Sequence, residues 1–263
     1  MVSDVANNSA GGETGHPATM YTGPLGSTIH IVRADAGTVA ELAAVDWSRS
    51  FGRVCLDPVR GLITLMAPSR LHDELAAILD HVVDVAGSAL TGAAKSLRTA
   101  RLREPDAPPG TGMEPDGAFY VGERARAYRA ALAAGKEAAD AFFDENAPDL
   151  VIEVEITNAD EGKIGRFADL GVRELWLLDG RASAEVPRVE FLALRSRTTT
   201  RRLTSSNVLP NLTPEDVSEA VDSVRLSVTR DQRTDAVARI VLRQQRGSVR
   251  GREAGTSYAA RSE

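Results

Sequence analysis

The alternation of hydrophobic and polar positions predicts both strands and helices along this chain. Strands are predicted at about residues 28–32, 53–56, 62–66, 149–157, 174–178 and 189–194, with a turn entering a strand at 114–121, and helices at about residues 37–45, 70–90, 123–143, 160–170 and after Thr213. The runs at 53–56 and 62–66 are separated by a loop typical of a hairpin. Because strand and helix signals mix, the pattern predicts an α/β (α+β) domain with a central sheet.

Composition divides the chain into three parts. Residues 1–27 are rich in Gly, Ser, Asn and Thr, which predicts a disordered leader. Residues 28–222 contain the strand and helix signals and form the predicted main domain. Residues 223–263 predict a polar, arginine-rich C-terminal helix and tail.

The most informative stretch is 149–157, which reads as a strand with two unlike faces. Hydrophobic residues occupy one face, namely Leu150, Ile152, Val154 and Ile156, and the other carries Asp149, Val151, Glu153, Glu155 and Thr157. Three carboxylates on a buried face need compensating charge, and a divalent cation would supply it. The plain alternative is a solvated row of surface acids.

Charge and composition bear on whether the protein binds nucleic acid, whether it contacts a membrane and where in the cell it is found. The net charge of -6 means that attraction for a polyanion must be local. Arginines cluster from Arg195 to Arg202 and again from Arg225 to Arg252, which indicates either a solvated tail or a nucleic-acid contact surface. No apolar run approaches the roughly 18 residues of a membrane span. With the single cysteine Cys55 and no signal-peptide pattern, we expect a cytoplasmic protein without membrane contact.

A lysine beside the acidic strand adds a cation to the candidate site. Of the 31 basic residues only three are lysines, and Lys163 is one of them, in the first turn of the helix predicted after the strand. Mg²⁺ prefers oxygen ligands, usually one or two carboxylates with water and substrate oxygens. Glu153, in the middle of the strand, is the best ligand candidate, and Glu155 is a second.

Three further residues are weaker candidates. Asp116 and Asp149 each follow a proline at the start of a predicted strand, and such pairs are also common turns. If the two strands are neighbours, we expect both acids at comparable edges of one sheet. His72, near the start of the helix at 70–90, is a candidate site residue, although a single helical histidine is more often incidental.

Together these segments resemble the Uma-two restriction endonuclease family of the PD-(D/E)xK nuclease superfamily. The resemblance is carried by residues 147–154, by Asp160, Lys163 and Phe167, and by residues 171–179. Weaker matches lie at 61–68 with His72, at 114–119, and at 208–212, which would be the closing strand.

The resemblance implies a restriction-endonuclease-like core, a mixed sheet flanked by helices, and Mg²⁺-dependent hydrolysis of DNA, with Mn²⁺ as a substitute. Asp116 and Glu153 would be catalytic metal ligands, and the strand pattern alone offers Glu155 as an additional ligand. Lys163 would orient or activate the water. In the wider superfamily the lysine stands two residues after the glutamate, where this chain has Glu155.

Three functions remain open from sequence. The first is a metal-dependent DNA endonuclease, for which a homodimer would provide two sites for cutting two strands. The second is a catalytically inactive nuclease-fold module that binds nucleic acid or protein through its arginine-rich C-terminus. The third is a hydrolase acting on another phosphate ester.

Overall fold

The computed structural model describes residues 19–22, 28–43, 53–57, 61–67, 70–98, 100–104, 112–155, 161–179, 188–196 and 198–259. The strands are β1 (Thr19–Thr22), β2 (Thr28–Arg33), β3 (Arg53–Asp57), β4 (Leu62–Ala67), β5 (Ala94–Arg98), β6 (Gly117–Val121), β7 (Leu150–Glu155), β8 (Glu174–Asp179), β9 (Arg188–Ser196) and β10 (Thr199–Leu203). The helices are α1 (Ala36–Ala43), α2 (Arg70–Thr91), α3 (Glu123–Ala134), α4 (Lys136–Glu145), α5 (Glu161–Asp169), α6 (Pro214–Arg225) and α7 (Arg230–Ala259).

The larger sheet has six strands in the order β10-β9-β8-β7-β6-β5. Strands β7 and β8 run parallel and are connected through α5, whereas the other neighbours are antiparallel. Parallel strands need such a crossover connection, which is usually helical. The predicted mixed sheet flanked by helices is therefore confirmed.

Both faces of this sheet are covered, so its central strand β7 is buried on two sides. On one face Ile152 and Trp176 pack with residues of α2, α6 and α7. On the other face Val151 and Leu175 pack with Phe167 of α5. A strand buried on both faces tolerates charge only where partners exist, and β7 carries its acids, Glu153 and Glu155, towards its carboxyl end.

The smaller sheet has four antiparallel strands in the order β1-β2-β4-β3. The predicted hairpin is confirmed, because β3 and β4 pair with Val54 opposite Leu65. Strand β1 lies within the stretch predicted as a disordered leader, so that prediction is wrong for Thr19–Thr22. The remainder of that leader, residues 1–18 and 23–27, lies outside the described residues.

Two predicted elements differ from the structure. The helix predicted over 123–143 is two helices that meet at Gly135, whose φ of 124° is in a region that L side chains rarely adopt. Residues 208–212, predicted as a closing strand, form a turn instead, in which Leu209 and Leu212 are buried and Asn211 has a positive φ. Their hydrophobicity reflects burial and not strand pairing.

A buried carboxylate holds this turn against the sheet. Glu174 at the start of β8 is fully buried and accepts hydrogen bonds from Trp176 Nε1, the Ser206 hydroxyl and the Asn207 backbone N–H at 2.6–2.8 Å. Three donors, two of them side chains, satisfy its oxygens, which burial removes from solvent. The turn then leads into α6, where the predicted Thr213 cap is present as a capping box with Asp216.

The C-terminal helix is partly a core element. Residues Ala236, Val237, Ile240 and Val241 of α7 are buried in the cluster formed with α2 and α6. At the α6–α7 contact, Asp216 accepts hydrogen bonds from Arg243 and Gln244. The hydrophobic core therefore crosses the boundary predicted at residue 223. Within the described residues, no helix is long and apolar enough to span a membrane.

Candidate functional site

The carboxyl ends of β7 and β8 form an acidic edge of the larger sheet. The two strands are in parallel register, with Glu153 opposite Leu177 and Glu155 opposite Asp179. Glu155 and Asp179 are therefore neighbours on the face covered by α5, and Glu153 lies on the same face one row inward. This edge brings together two acids predicted from sequence and one that was not.

Asp116 joins the edge from the neighbouring strand. It directly precedes β6, and continuation of the register that sets Gly117 opposite Ile152 puts Asp116 opposite Glu153. Directly opposed residues of antiparallel strands have Cβ atoms about 5 Å apart. The buried Asp116 carboxylate also accepts a hydrogen bond from the Val154 backbone N–H at 2.7 Å, which fixes its Oδ2 atom against β7.

His72 reaches the same carboxylate from α2, on the other side of the sheet. Its Nε2 lies 3.1 Å from Asp116 Oδ2, and its side chain is only 13% exposed. His72 occupies the first turn of α2, whose hydrophobic residues anchor it to the core. The histidine that sequence treats as a weak candidate therefore contacts a main candidate residue.

Lys163 provides the positive charge of the site. Its ammonium group forms an ion pair with Glu153 Oε2, and the two side chains are 22% and 6% exposed. Lys163 is the third residue of α5, which Phe167 anchors against the sheet. The ammonium also lies 6.0 Å from the centre of the Phe167 ring, within the range of a cation–π interaction.

Asp149 lies at the other end of β7. Because β6 and β7 are antiparallel, Asp116 before β6 and Asp149 before β7 lie at opposite edges of the sheet. The prediction that these two acids lie at comparable edges is therefore wrong. Asp149 pairs with Arg124 at 2.9 Å and accepts a hydrogen bond from the Val121 N–H at 3.0 Å. Burial raises its pKa, against the lowering effect of these two partners.

The acidic edge offers oxygen donors of the type that bind a divalent metal ion. Among the described residues, no three His, Cys, Asp or Glu side chains are grouped to hold one ion. The predicted trio of Asp116, Glu153 and Glu155 therefore does not surround a single point; Glu155 lies about 7 Å along the strand from Glu153. Two carboxylates nevertheless suffice for Mg²⁺, which retains waters and binds substrate oxygens. Asp116, which is held against Val154, and Glu153, the residue before it, offer oxygen ligands of the type that this ion prefers.

Asp179 is the site residue that sequence reasoning missed. It ends β8 as Glu155 ends β7, and its position follows only from the parallel pairing of the two strands. The sequence does contain a signal for it. In a strand–helix–strand unit the two strands are usually parallel, so an acid at the end of the second strand is expected at the same sheet edge as the end of the first. Asp179 ends the stretch 171–179 that carries the family resemblance, but the resemblance implies no role for it.

The mixed sheet, its flanking helices and the acidic edge with a lysine define a protein with a restriction-endonuclease-like fold. A family model described as "Putative restriction endonuclease" (Uma2) matches residues 52–229 of the 263. The chain belongs to this Uma2 family, and the membership supports a nuclease role. No curated protein matches the chain.

Proposed function

We propose that this protein is a Mg²⁺-dependent endonuclease that hydrolyses phosphodiester bonds of DNA. The observation that carries the proposal is the meeting of Asp116 and Glu153 across β6 and β7, with Lys163 in an ion pair with Glu153. Two carboxylates and one ammonium are the charges needed to bind a divalent ion and a phosphate beside it. The family membership supports the same reaction class.

Asp116 and Glu153 would hold the metal ion. When bound, Mg²⁺ (or Mn²⁺) polarises a phosphoryl oxygen and lowers the pKa of a coordinated water. The protein's own contribution is to fix the ligands before substrate arrives. His72 and the Val154 N–H both contact Asp116 Oδ2, so this carboxylate keeps one orientation on a rigid sheet.

Lys163 would act on the reacting phosphate. In the hydrolysis, a water oxygen bonds to phosphorus and gives up a proton, one bridging P–O bond breaks, and the departing oxygen takes up a proton. Negative charge grows on the phosphoryl oxygens as the reaction proceeds. An ammonium group held at the site edge by Glu153 stabilises that charge and orients the water through its N–H donors.

The proposal is tested by nicking of supercoiled plasmid and cleavage of duplex and single-stranded DNA. Cleavage should require Mg²⁺ or Mn²⁺ and stop with chelator. Glu153→Gln and Lys163→Met should each lower the rate at least about a hundredfold, because the first removes a ligand of the metal ion and the second removes the cation that acts on the developing charge. Thermal unfolding followed by circular dichroism verifies that the variants are folded.

Asp149→Asn is the matched control. It removes a half-buried carboxylate from the same stretch of chain, at the end of β7 remote from Glu153. It should retain cleavage within a few-fold of the wild type. Absence of cleavage across divalent metals, or normal cleavage by the Glu153 and Lys163 variants, would overturn the proposal.

A second candidate function is a nuclease-fold module that binds nucleic acid without cutting it. The contacts of Asp116 with His72 and of Glu153 with Lys163 favour it, because they already compensate these carboxylates. This module would bind DNA with the same affinity in Mg²⁺ and in chelator and would cut none. A homodimer belongs to the endonuclease proposal, and sedimentation measurements of the full chain test it.

A further inference from the structure

The face of the sheet that carries the acidic edge continues onto β9. In register, Glu155 stands opposite Asp179, and Asp179 stands opposite Arg188. The three residues form one row on the face covered by α5. With neighbouring strands about 4.8 Å apart, the exposed Arg188 lies two strands, about 10 Å, from the strand of Glu153.

Strand β10 places a second arginine on this face. Arg202 pairs with Leu192, which packs in the cluster of Val151 and Phe167 on the α5 side. Arg201 pairs with Ala193, which packs in the cluster on the opposite side. Both arginines are exposed. They are adjacent in β10 and carry the same charge, but because they are consecutive in a strand they are directed to opposite faces.

Arg202 forms an exposed ion pair with Glu190 of the neighbouring strand β9. One guanidinium nitrogen of Arg202 lies 3.2 Å from Glu190 Oε2, and the side chains are 78% and 36% exposed. Such an exposed pair adds little stability. A guanidinium has five N–H donors, so contact with one carboxylate leaves others to donate to a second acceptor.

We propose that Arg188 and Arg202 form a phosphate-binding rim that holds the DNA backbone beside the cleavage site. The inference rests on the proposed nuclease function and names the surface that binds its substrate. A chain of net charge -6 must attract DNA locally, and this rim offers positive charge about 10 to 14 Å from β7 on the site's own face. Contacts to phosphates position a duplex without reading its sequence.

The test is a binding titration of labelled duplex DNA by fluorescence anisotropy, in Ca²⁺ to prevent cleavage, over a series of salt concentrations. Arg188→Ala and Arg202→Ala should each weaken binding about eightfold near 0.1 M salt and reduce the slope of log K against log salt by about 0.9. Arg201→Ala is the control, and its affinity and slope should match the wild type. Unrelated duplex sequences should give the same losses.

The outcomes separate this inference from the proposed function. If the wild type binds and cuts DNA but Arg188→Ala and Arg202→Ala bind like Arg201→Ala, the rim is refuted and the nuclease proposal stands. If all three variants lose affinity equally, the attraction is general and the assignment to the site face is refuted. If the wild type neither binds nor cuts DNA, both proposals fall.

Discussion

Lys163→Met should destabilise the protein more than Glu153→Gln, although both break the same ion pair. The reason is the unequal burial of the partners: the Glu153 side chain is 6% exposed and that of Lys163 is 22% exposed. Methionine keeps the length of the lysine chain and removes only its charge. It leaves the Glu153 carboxylate buried beside Asp116 without its cation.

The expected magnitudes follow from these burials. Removing one partner of a buried ion pair costs about 3 to 5 kcal/mol, and the lower limit, about 3 kcal/mol, suits a lysine that keeps some exposure. Glu153→Gln leaves an ammonium that can turn towards solvent, and it removes one of two facing carboxylates. Its cost should be about 1 kcal/mol. The double variant should be more stable than Lys163→Met alone.

Urea unfolding followed by circular dichroism measures these free energies, first in chelator and then in millimolar Mg²⁺. If Asp116 and Glu153 bind the ion, Mg²⁺ should replace the lost cation and stabilise Lys163→Met more than the wild type. Ligand present at about 100 times its Kd contributes about 2.7 kcal/mol to the stability of the form that binds it. Glu153→Gln should gain little from the metal.

Two results would contradict the expected difference between the partners of this ion pair. Equal stability of Lys163→Met and Glu153→Gln in chelator would mean that burial does not make the carboxylate dependent on this lysine. An equal effect of Mg²⁺ on the wild type, Lys163→Met and Glu153→Gln would mean that the ion binds elsewhere. Asp149→Asn, at the far end of β7, provides the control for general effects of metal on the fold.

The contact of α6 with α7 should make stability pH-dependent through Asp216. Burial raises the pKa of this carboxyl, but hydrogen bonds from Thr213 and from α7 outweigh burial and hold the pKa below 3.8. Asp216→Asn should therefore cost about 1.5 kcal/mol at neutral pH, and in urea unfolding the difference should vanish as pH falls below 3.8 through the folded pKa. Glu174→Ala should cost at least about 3 kcal/mol in the same measurement, because the buried donors of Trp176 and Ser206 and the Asn207 N–H lose their acceptor; Glu174→Gln should cost less. Truncation after Gln245 should leave a folded protein by circular dichroism, whereas truncation after Arg225 should not, since it removes the buried stripe of α7.

The elements predicted correctly from sequence are those whose burial leaves a clear pattern. Strands β7, β8 and β9 carry buried side chains, and Gly171 ends α5 with a φ of 82°. Strand β10 escaped prediction because it lies at the sheet edge. Its first four residues are exposed, so no hydrophobic alternation marks it.

Within the site, sequence identified Asp116, Glu153 and Lys163 but not how they meet. Asp116 and Asp149 look alike locally, each an acid between a proline and a strand. Only the antiparallel pairing of β6 and β7, a tertiary property, brings Asp116 beside Glu153 and puts Asp149 at the other edge. Asp179 differs, because the strand–helix–strand order of β7, α5 and β8 already indicates a parallel pair whose last residues meet at one edge.

The crossover between β7 and β8 explains how Lys163 can serve Glu153 from ten residues away. A lysine two residues after Glu153 would lie on the same face about 7 Å along the strand, and this chain has Glu155 there. Helix α5 begins at Glu161 and packs back over that face through Phe167, so its third residue reaches the Glu153 carboxylate. The helix therefore supplies the cation that the strand lacks. The position two residues after Glu153 is thereby available for a second acid, Glu155. Glu155 stands beside Asp179, at the edge that leads to the proposed arginine rim.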